Sequence, residues 1–400
     1  MRMILTIFLS AAVLQTPAPQ QTAQPAAIPN SDAAVLEGLK GRASSLLTLR
    51  GIEQRVAYAN VEKLAPVGTI RRGEHLYRLP EAPRDYSRFT YVNNGKPQTI
   101  EDFMRQMNAV GLLVITDGRV VLERYTQGHS ADIRWTSFSV AKSVTSLLYG
   151  AAIQDGHIKS LDDPVTKYTP VVVGSSYDGV TLRHLLQMSS GVAWTENPAD
   201  PASDVSQLAR LNAEGGFAAQ LAYLGKRPRL HPPGQVFNYN TAETDLAASI
   251  LRGATGRTLS DYLSEKLWKP FGMQADGYWV TMRGSDLERG GCCISATLRD
   301  YGRIGLLALR GGVTESGTRL LPERWMEEAT RPSPGSKGYG YYWWLRPNGR
   351  YYASGSFGQH IEIAPAERTV VAIQSYWPAA FNRELVTHND TFVDALINYR

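Results

Sequence analysis

"SFSVAKSV", residues 137–144, opens the stretch whose reading decides the fold. From Ser139 to about Gln154 the apolar residues Val140, Val144, Leu147, Leu148 and Ala151 recur at helical spacing, and Asp155-Gly156 ends the run. A helical step of three brings Ser139 and Lys142 to the same side of that helix. If that side is buried, the lysine needs a chemical reason, because an unpartnered buried charge is expensive.

Nucleophilic chemistry supplies one. A serine hydroxyl is nearly inert at neutral pH until a neighbouring base takes its proton. A lysine serves as that base only where burial or a nearby cation favours its neutral form. The start of a helix adds free N–H groups and the positive end of the dipole, which favour an oxyanion beside Ser139. Taken alone, S-x-x-K recurs by chance and a solvated surface lysine is the commoner outcome. The rest of the chain has to decide.

Upstream, "GLLVITDGRVVLERY" (111–125) sets two apolar runs around Asp117-Gly118, a pair suited to a two-residue turn with positive φ, and so predicts an antiparallel hairpin. Downstream, helices are expected at about 181–188, 203–212, 216–224, 241–253, 258–267 and 297–309. The tail then turns aromatic and β-branched: "YGYYWWL" (339–345), "RYYASGS" (350–356), "QHIEIAP" (359–365) and "RTVVAIQSYW" (368–377) read as consecutive antiparallel strands. A last amphipathic helix carries Phe392, Ala395, Leu396 and Tyr399 on one stripe. The expected fold class is α/β plus all-α: an antiparallel sheet flanked by helices, with an inserted helical domain. The boundaries are 31–150 with 290–400 for a discontinuous α/β domain, and 151–289 for the helical one.

The 400 residues are 43% hydrophobic and 20% charged, enough for a large core and too apolar for disorder. The net charge of +5 arises from 42 basic and 37 acidic residues mixed along the chain, which reads as a solvated surface, with no nucleic-acid partner expected. Residues 1–30 read as a secretory signal and linker: Met1-Arg2, an apolar run from Ile4 to Leu14, then a Pro/Gln/Ala segment. The run is shorter than the roughly 20 residues a membrane span needs, and no cysteine follows it to accept a lipid. An exported protein, periplasmic or secreted, is expected, with no membrane span in its mature form; a retained N-terminal anchor is the alternative.

The only two cysteines, Cys292 and Cys293, are neighbours. Adjacent cysteines bridge only through a small ring, so two buried thiols are the expectation. The seven histidines show no paired metal-ligand spacing, and no metal or organic cofactor is expected.

Four segments together change the standing of Ser139 and Lys142. "WTSFSVAKSVTSLLYGAAIQDGHIKSLDDPVTKY", "TLRHLLQMSSGVAW", "HPPGQVFNYNTAETDLAASILRGATGRTLSDYLSEKLWKPFGM" and "GGCCISATLRDYGRIGLLALRGG" resemble, in matching order over about residues 105–375, the β-lactamase-related serine hydrolases. That group holds class C β-lactamases, D-alanyl-D-alanine carboxypeptidases, esterases and 6-aminohexanoate-dimer hydrolases, the last resembled particularly around "SFSVAKS". The resemblance implies a β-lactamase/transpeptidase-like fold and three active-site motifs. The first, S-x-x-K, makes Ser139 the nucleophile and Lys142 its proton-accepting partner. The second, a tyrosine followed two residues later by Asn or Ser, falls on Tyr239 with Thr241 in the second place, and the resemblance makes Tyr239 the relay to the leaving group. The third, Lys-Thr-Gly and the next residue, meets Ala353, Ser354, Gly355 and Ser356: the glycine and the Ser356 N–H are kept, the lysine is lost.

Losing that lysine weakens selection for β-lactams and D-Ala-ended peptides. The resulting expectation is hydrolysis of a small amide or ester through an acyl-enzyme on Ser139, with substrate contacts at Thr241, Ser354, Gly355 and Ser356. A β-lactamase or carboxypeptidase, and a non-catalytic cell-wall-peptide binding protein, are the alternatives. His184 is expected to pack or cap, His360 to face away from the cleft, and Glu196, Asp200 and Asp204 to form a solvated acidic loop near where the family's cleft rim lies, binding of a cationic substrate end being the alternative.

Overall fold

A computed structural model describes residues 29–40, 46–198 and 200–399. Most of the segment expected to be an export signal therefore lies outside the described residues; Pro29 and Asn30, expected in the linker, open a helix, Pro29–Leu39. No described helix is long and apolar enough to cross a membrane.

The hairpin forms as its turn demands. Strands β1 (Ala109–Thr116) and β2 (Arg119–Tyr125) pair antiparallel across Asp117 and Gly118, at φ 52° and 74°. With β3 (Trp344–Leu345), β4 (Tyr351–Gly355), β5 (Gln359–Ala364) and β6 (Thr369–Ser375) they make one antiparallel sheet in the order β2-β1-β6-β5-β4-β3. Alternate residues feed two cores. Leu113, Ile115, Ile361, Val370 and Ala372 join the core that holds the central helices. Leu112, Val114, Val371 and Ile373 join a second one under the C-terminal helix.

Five helices matter below: α1 (Val140–Gln154), α2 (Asp204–Gly225), α3 (Thr241–Thr255), α4 (Leu298–Leu309) and α5 (Arg383–Asn398). Helix α4 lies close on the sheet through bare backbone: a Cβ at Gly302 would stand 2.5 Å from Leu113 and one at Gly305 2.4 Å from Val370. On the other face α5 buries Phe392, Val393, Leu396 and Ile397, with Ala395 and Tyr399 at the margin of the stripe; Phe392 stacks on Phe103 at 3.6 Å. A smaller four-stranded sheet joins Val67–Ile70, Gly277–Val280, Ile294–Ala296 and Trp135–Thr136 in that order. It places the strand before Ser139 beside the strand after the two cysteines.

Two expectations are corrected and one is met within a longer element. The strand expected at 339–345 shrinks to Trp344–Leu345, because Tyr342 sits at φ 60° and Gly340 tucks under the Ala329 carbonyl, neither compatible with extended pairing. The helices expected at 203–212 and 216–224 form end to end within Asp204–Gly225, divided by a kink where Gly216 leaves helical geometry (φ 60°, ψ −149°). Cys292 and Cys293, expected as thiols, are joined as a disulfide between neighbours.

Candidate active site

Ser139 is delivered by a turn with little freedom. After strand Trp135–Thr136, the Ser137 N–H donates to the Ile294 carbonyl (2.7 Å) and the Ile294 N–H returns a bond to Ser137 Oγ (2.8 Å). Phe138 then takes φ 44°, held there by burial of its ring against Tyr58 (4.9 Å) and Phe357 (5.3 Å). A bulky residue at positive φ persists only where packing fixes it. Ser139 follows at the N-terminus of α1, a helix buried from Val140 through Ala152.

That burial makes Lys142 informative, since only 1% of it is exposed. Its Nζ lies 3.1 Å from Ser139 Oγ, 3.2 Å from Thr241 Oγ1 and 3.0 Å from the Gly291 carbonyl, and 5.0 Å from the centre of the Tyr239 ring. All three hydrogen-bonding neighbours are uncharged oxygens. The Gly291 carbonyl is itself fixed from behind: its N–H donates to Asp245 (3.3 Å), a fully buried carboxylate paired with Gln220 and Arg289, and the adjacent Gly290 carbonyl accepts from Thr145 Oγ1. A side chain at Gly291 would crowd Lys142 Nζ to 3.1 Å.

Tyr239 is half-buried and stacks on Trp344 (5.7 Å, 17° between planes). Thr241 begins α3, whose N-terminus is capped by the Asn240 side chain. On the opposite wall β4 presents Ser354 and Gly355, followed by Ser356. A Cβ at Gly355 would stand 2.2 Å from the Ser137 carbonyl, so only glycine lets this strand approach the turn that carries Ser139. Ala353, where the motif's lysine would stand, is completely buried. The turn after Ser356 is pinned by Phe357 N–H to Ala380 O (3.1 Å) and Trp377 N–H to Phe357 O (3.0 Å).

The structure thus brings Ser139, Tyr239, Ser354, Gly355 and Ser356 onto one cleft of about 530 Å³, with Lys142 and Thr241 immediately beneath it. Its other walls are mainly aromatic and apolar, including Trp344, Tyr352, Trp377 and Phe381. Its charged lining is acidic, from Glu196 and Asp390. Among the described residues, no lysine or arginine side chain lines it.

Two residues stand where the sequence did not put them. His360, expected to face away, lines the cleft, because the tight 356–358 turn sets it directly opposite Ser354 and cross-strand partners share a face. Its Nε2 meets Glu362 at 2.9 Å, and its ring stacks on Tyr352. Glu362 and Asp390 both bind Arg346, which also covers the Tyr352 ring. Although burial opposes it, the bonds from His360 and Arg346 hold the Glu362 carboxyl below its usual range. Glu196, expected in a solvated loop, also reaches the cleft, where it accepts from the Thr241 hydroxyl, from Thr241 N–H (3.2 Å) and from Trp194 Nε1 (2.5 Å). Of its neighbours Asp200 stays exposed, while Asp204 is buried against Thr195 and Arg227. His184 closes the capping box of helix Leu182–Leu186.

The β-lactamase family model matches residues 97–386, and the chain belongs to that family. It is a hydrolase of the β-lactamase fold. Among curated proteins it is 30% identical over 346 residues to 6-aminohexanoate-dimer hydrolase of Paenarthrobacter ureafaciens, covering 81% of this chain and 86% of that one. A β-lactamase of Yersinia enterocolitica is 27% identical over 36% of this chain and 33% of its own. Among solved structures, a Bacillus anthracis protein assigned as a 6-aminohexanoate-dimer hydrolase superposes with TM-score 0.76 at 22% identity, over 89% of this chain and 95% of that one. EstCE1, a hydrolase with promiscuous acyltransferase activity, gives 0.60 at 16% identity over 74% and 96%.

Proposed function

We propose that the chain is an exported serine hydrolase that cleaves a small amide or ester through an acyl-enzyme on Ser139. Ser139 Oγ attacks the substrate carbonyl while its proton passes to Lys142. The N–H groups of Ser139 and Ser356 receive the oxyanion. Tyr239 hands a proton to the departing amine or alcohol, and water then hydrolyses the ester on Ser139 and restores the hydroxyl. In this scheme the α/β lobe (31–150 and 290–400) supplies Ser139, Lys142 and the 354–356 edge, and the helical segment 151–289 supplies Tyr239 and Thr241.

The observation that carries this reading is the lysine: buried, 3.1 Å from a serine hydroxyl, and contacted by neutral acceptors alone. An amine so placed can exchange a proton with Ser139 without breaking an ion pair. The substrate class is supported by Ala353 and by a cleft whose charged lining is acidic, since no lysine or arginine among the described residues lines it to pair with a substrate carboxylate. The name of the Paenarthrobacter relative, a dimer hydrolase, supports the amide side of the choice.

Intact-protein mass spectrometry after incubation with esters, amides and β-lactams tests the proposal. The expected result is a mass gain from short p-nitrophenyl esters and from a fluorophosphonate probe, absent in Ser139→Ala. Nitrocefin turnover as fast as ester turnover would move the assignment to a β-lactamase. Equal fluorophosphonate labelling of wild type and Ser139→Ala, or of neither, would move it to a non-catalytic binding protein.

A further inference from the structure

The hydroxyl of Thr241 has one proton and two partners, Lys142 Nζ and Glu196 Oε1. A carboxylate only accepts, so the proton goes to Glu196 and Thr241 turns a lone pair toward the lysine. The Gly291 carbonyl also only accepts. Two N–H bonds of a neutral Lys142 amine are then drawn to Thr241 and Gly291, and its lone pair is left facing Ser139 Oγ. Were Thr241 free to rotate, its O–H could bond that lone pair and occupy the base.

We infer that Glu196 is a positioning residue for the acyl-enzyme chemistry: acting through Thr241, it aims the Lys142 lone pair at Ser139 and stabilises the ammonium that forms when the proton arrives. The inference rests on the proposed acyl-enzyme. Glu196 is well built for the task, since Thr241 N–H and Trp194 Nε1 fix its other oxygen. The remaining ionisable groups around the pair are Tyr239 and Tyr339, the buried Glu243 and Asp245 of α3, with Arg289 on Asp245, and His360 and Asp390 across the cleft. None of them contacts Lys142 Nζ by a hydrogen bond.

The test is the pH profile of kcat/KM on a p-nitrophenyl ester. Loss of a neighbouring negative charge makes the ammonium less favourable. In Glu196→Gln the acid limb therefore moves to lower pH by about one unit, and the plateau falls about tenfold as the transition state loses its countercharge. Thr241→Val, which removes the hydroxyl that accepts from the ammonium and links it to Glu196, moves the limb in the same direction, and Thr241→Ser restores the wild-type limb. Because the effect travels through Thr241, the double variant Glu196→Gln/Thr241→Val is no worse than Thr241→Val alone. Asp200→Asn, an exposed acid of the same loop, leaves the profile in place. If Glu196→Gln does not fold, the Thr241→Val and Thr241→Ser pair gives the same reading.

A Glu196→Gln profile that superimposes on wild type, or additive losses in the double variant, would overturn the inference while fluorophosphonate labelling of Ser139 still upholds the acyl-enzyme. Wild type left unlabelled at Ser139 would remove both.

Discussion

Two cations stand withdrawn from water behind the walls of the cleft, and the protein treats them in opposite ways. At one site Arg346 is matched by two carboxylates, Glu362 and Asp390, and lies on the face of Tyr352. At the other, Lys142 also lies over a tyrosine ring, that of Tyr239, but hydrogen-bonds only to hydroxyl and carbonyl oxygens, with the Glu196 carboxylate held one hydroxyl away. An ion pair fixes a charge where it stands. Neutral acceptors leave the charge free to come and go, which is what proton transfer requires. On the proposed mechanism the difference separates a structural cation from a chemical one.

Making the chemical site resemble the structural one should have the largest effect. Lys142→Arg keeps the charge but installs a group that stays protonated, so kcat/KM on p-nitrophenyl acetate should fall by about 10⁴-fold. A rate within tenfold of wild type would mean that Lys142 need not release its charge, and the contrast would collapse. Breaking the structural site comes next. Arg346→Met strands the buried Glu362 carboxylate and should lower stability by about 3 kcal/mol, read as a drop in urea midpoint. The kcat of the folded fraction should stay within a few-fold of wild type.

The smallest effect sharpens the comparison by pH. Glu362 is held below its ordinary value, so its contribution is present above the unfolded carboxyl pKa of about 4.3 and is lost as pH falls through the lower folded value. Glu243, fully buried against Tyr177, is pushed by burial up to about 7. Its folded form keeps a proton that the unfolded chain gives up, and stability should decline as pH rises from about 4.5 to about 7. Melting curves across pH 3–8 should show Glu362→Gln flattening the acid side and Glu243→Gln flattening the neutral side. Unchanged slopes in both variants would mean that neither glutamate is linked to folding.

Local pattern carried much of this architecture. Asp117-Gly118 specified its hairpin because positive φ at two successive positions is a local demand. The step from Ser139 to Lys142 was legible because helical spacing is local too. Tyr239 and Ser356 came from resemblance, since nothing in their own neighbourhoods announces them.

What escaped was decided across space. Glu196 meets Thr241 over 45 positions of sequence, and an acid in a Pro- and Asp-rich loop reads the same whether it faces water or a cleft. His360 was misplaced by counting along its own strand, whereas its face was set by the register with Ser354. The aromatic run at 339–345 had strand composition, but Tyr342 at φ 60° and the packing of Gly340 bent most of it away.

Helix α1 is enclosed by protein from its first residue through Ala152. The Ser139 hydroxyl, the nucleophile of the proposed mechanism, is mounted on such an axle and has no hinge of its own in that helix by which it could slip out of alignment. Heating should leave turnover intact until the whole molecule gives way at once, so the catalyst and the scaffold share one lifetime.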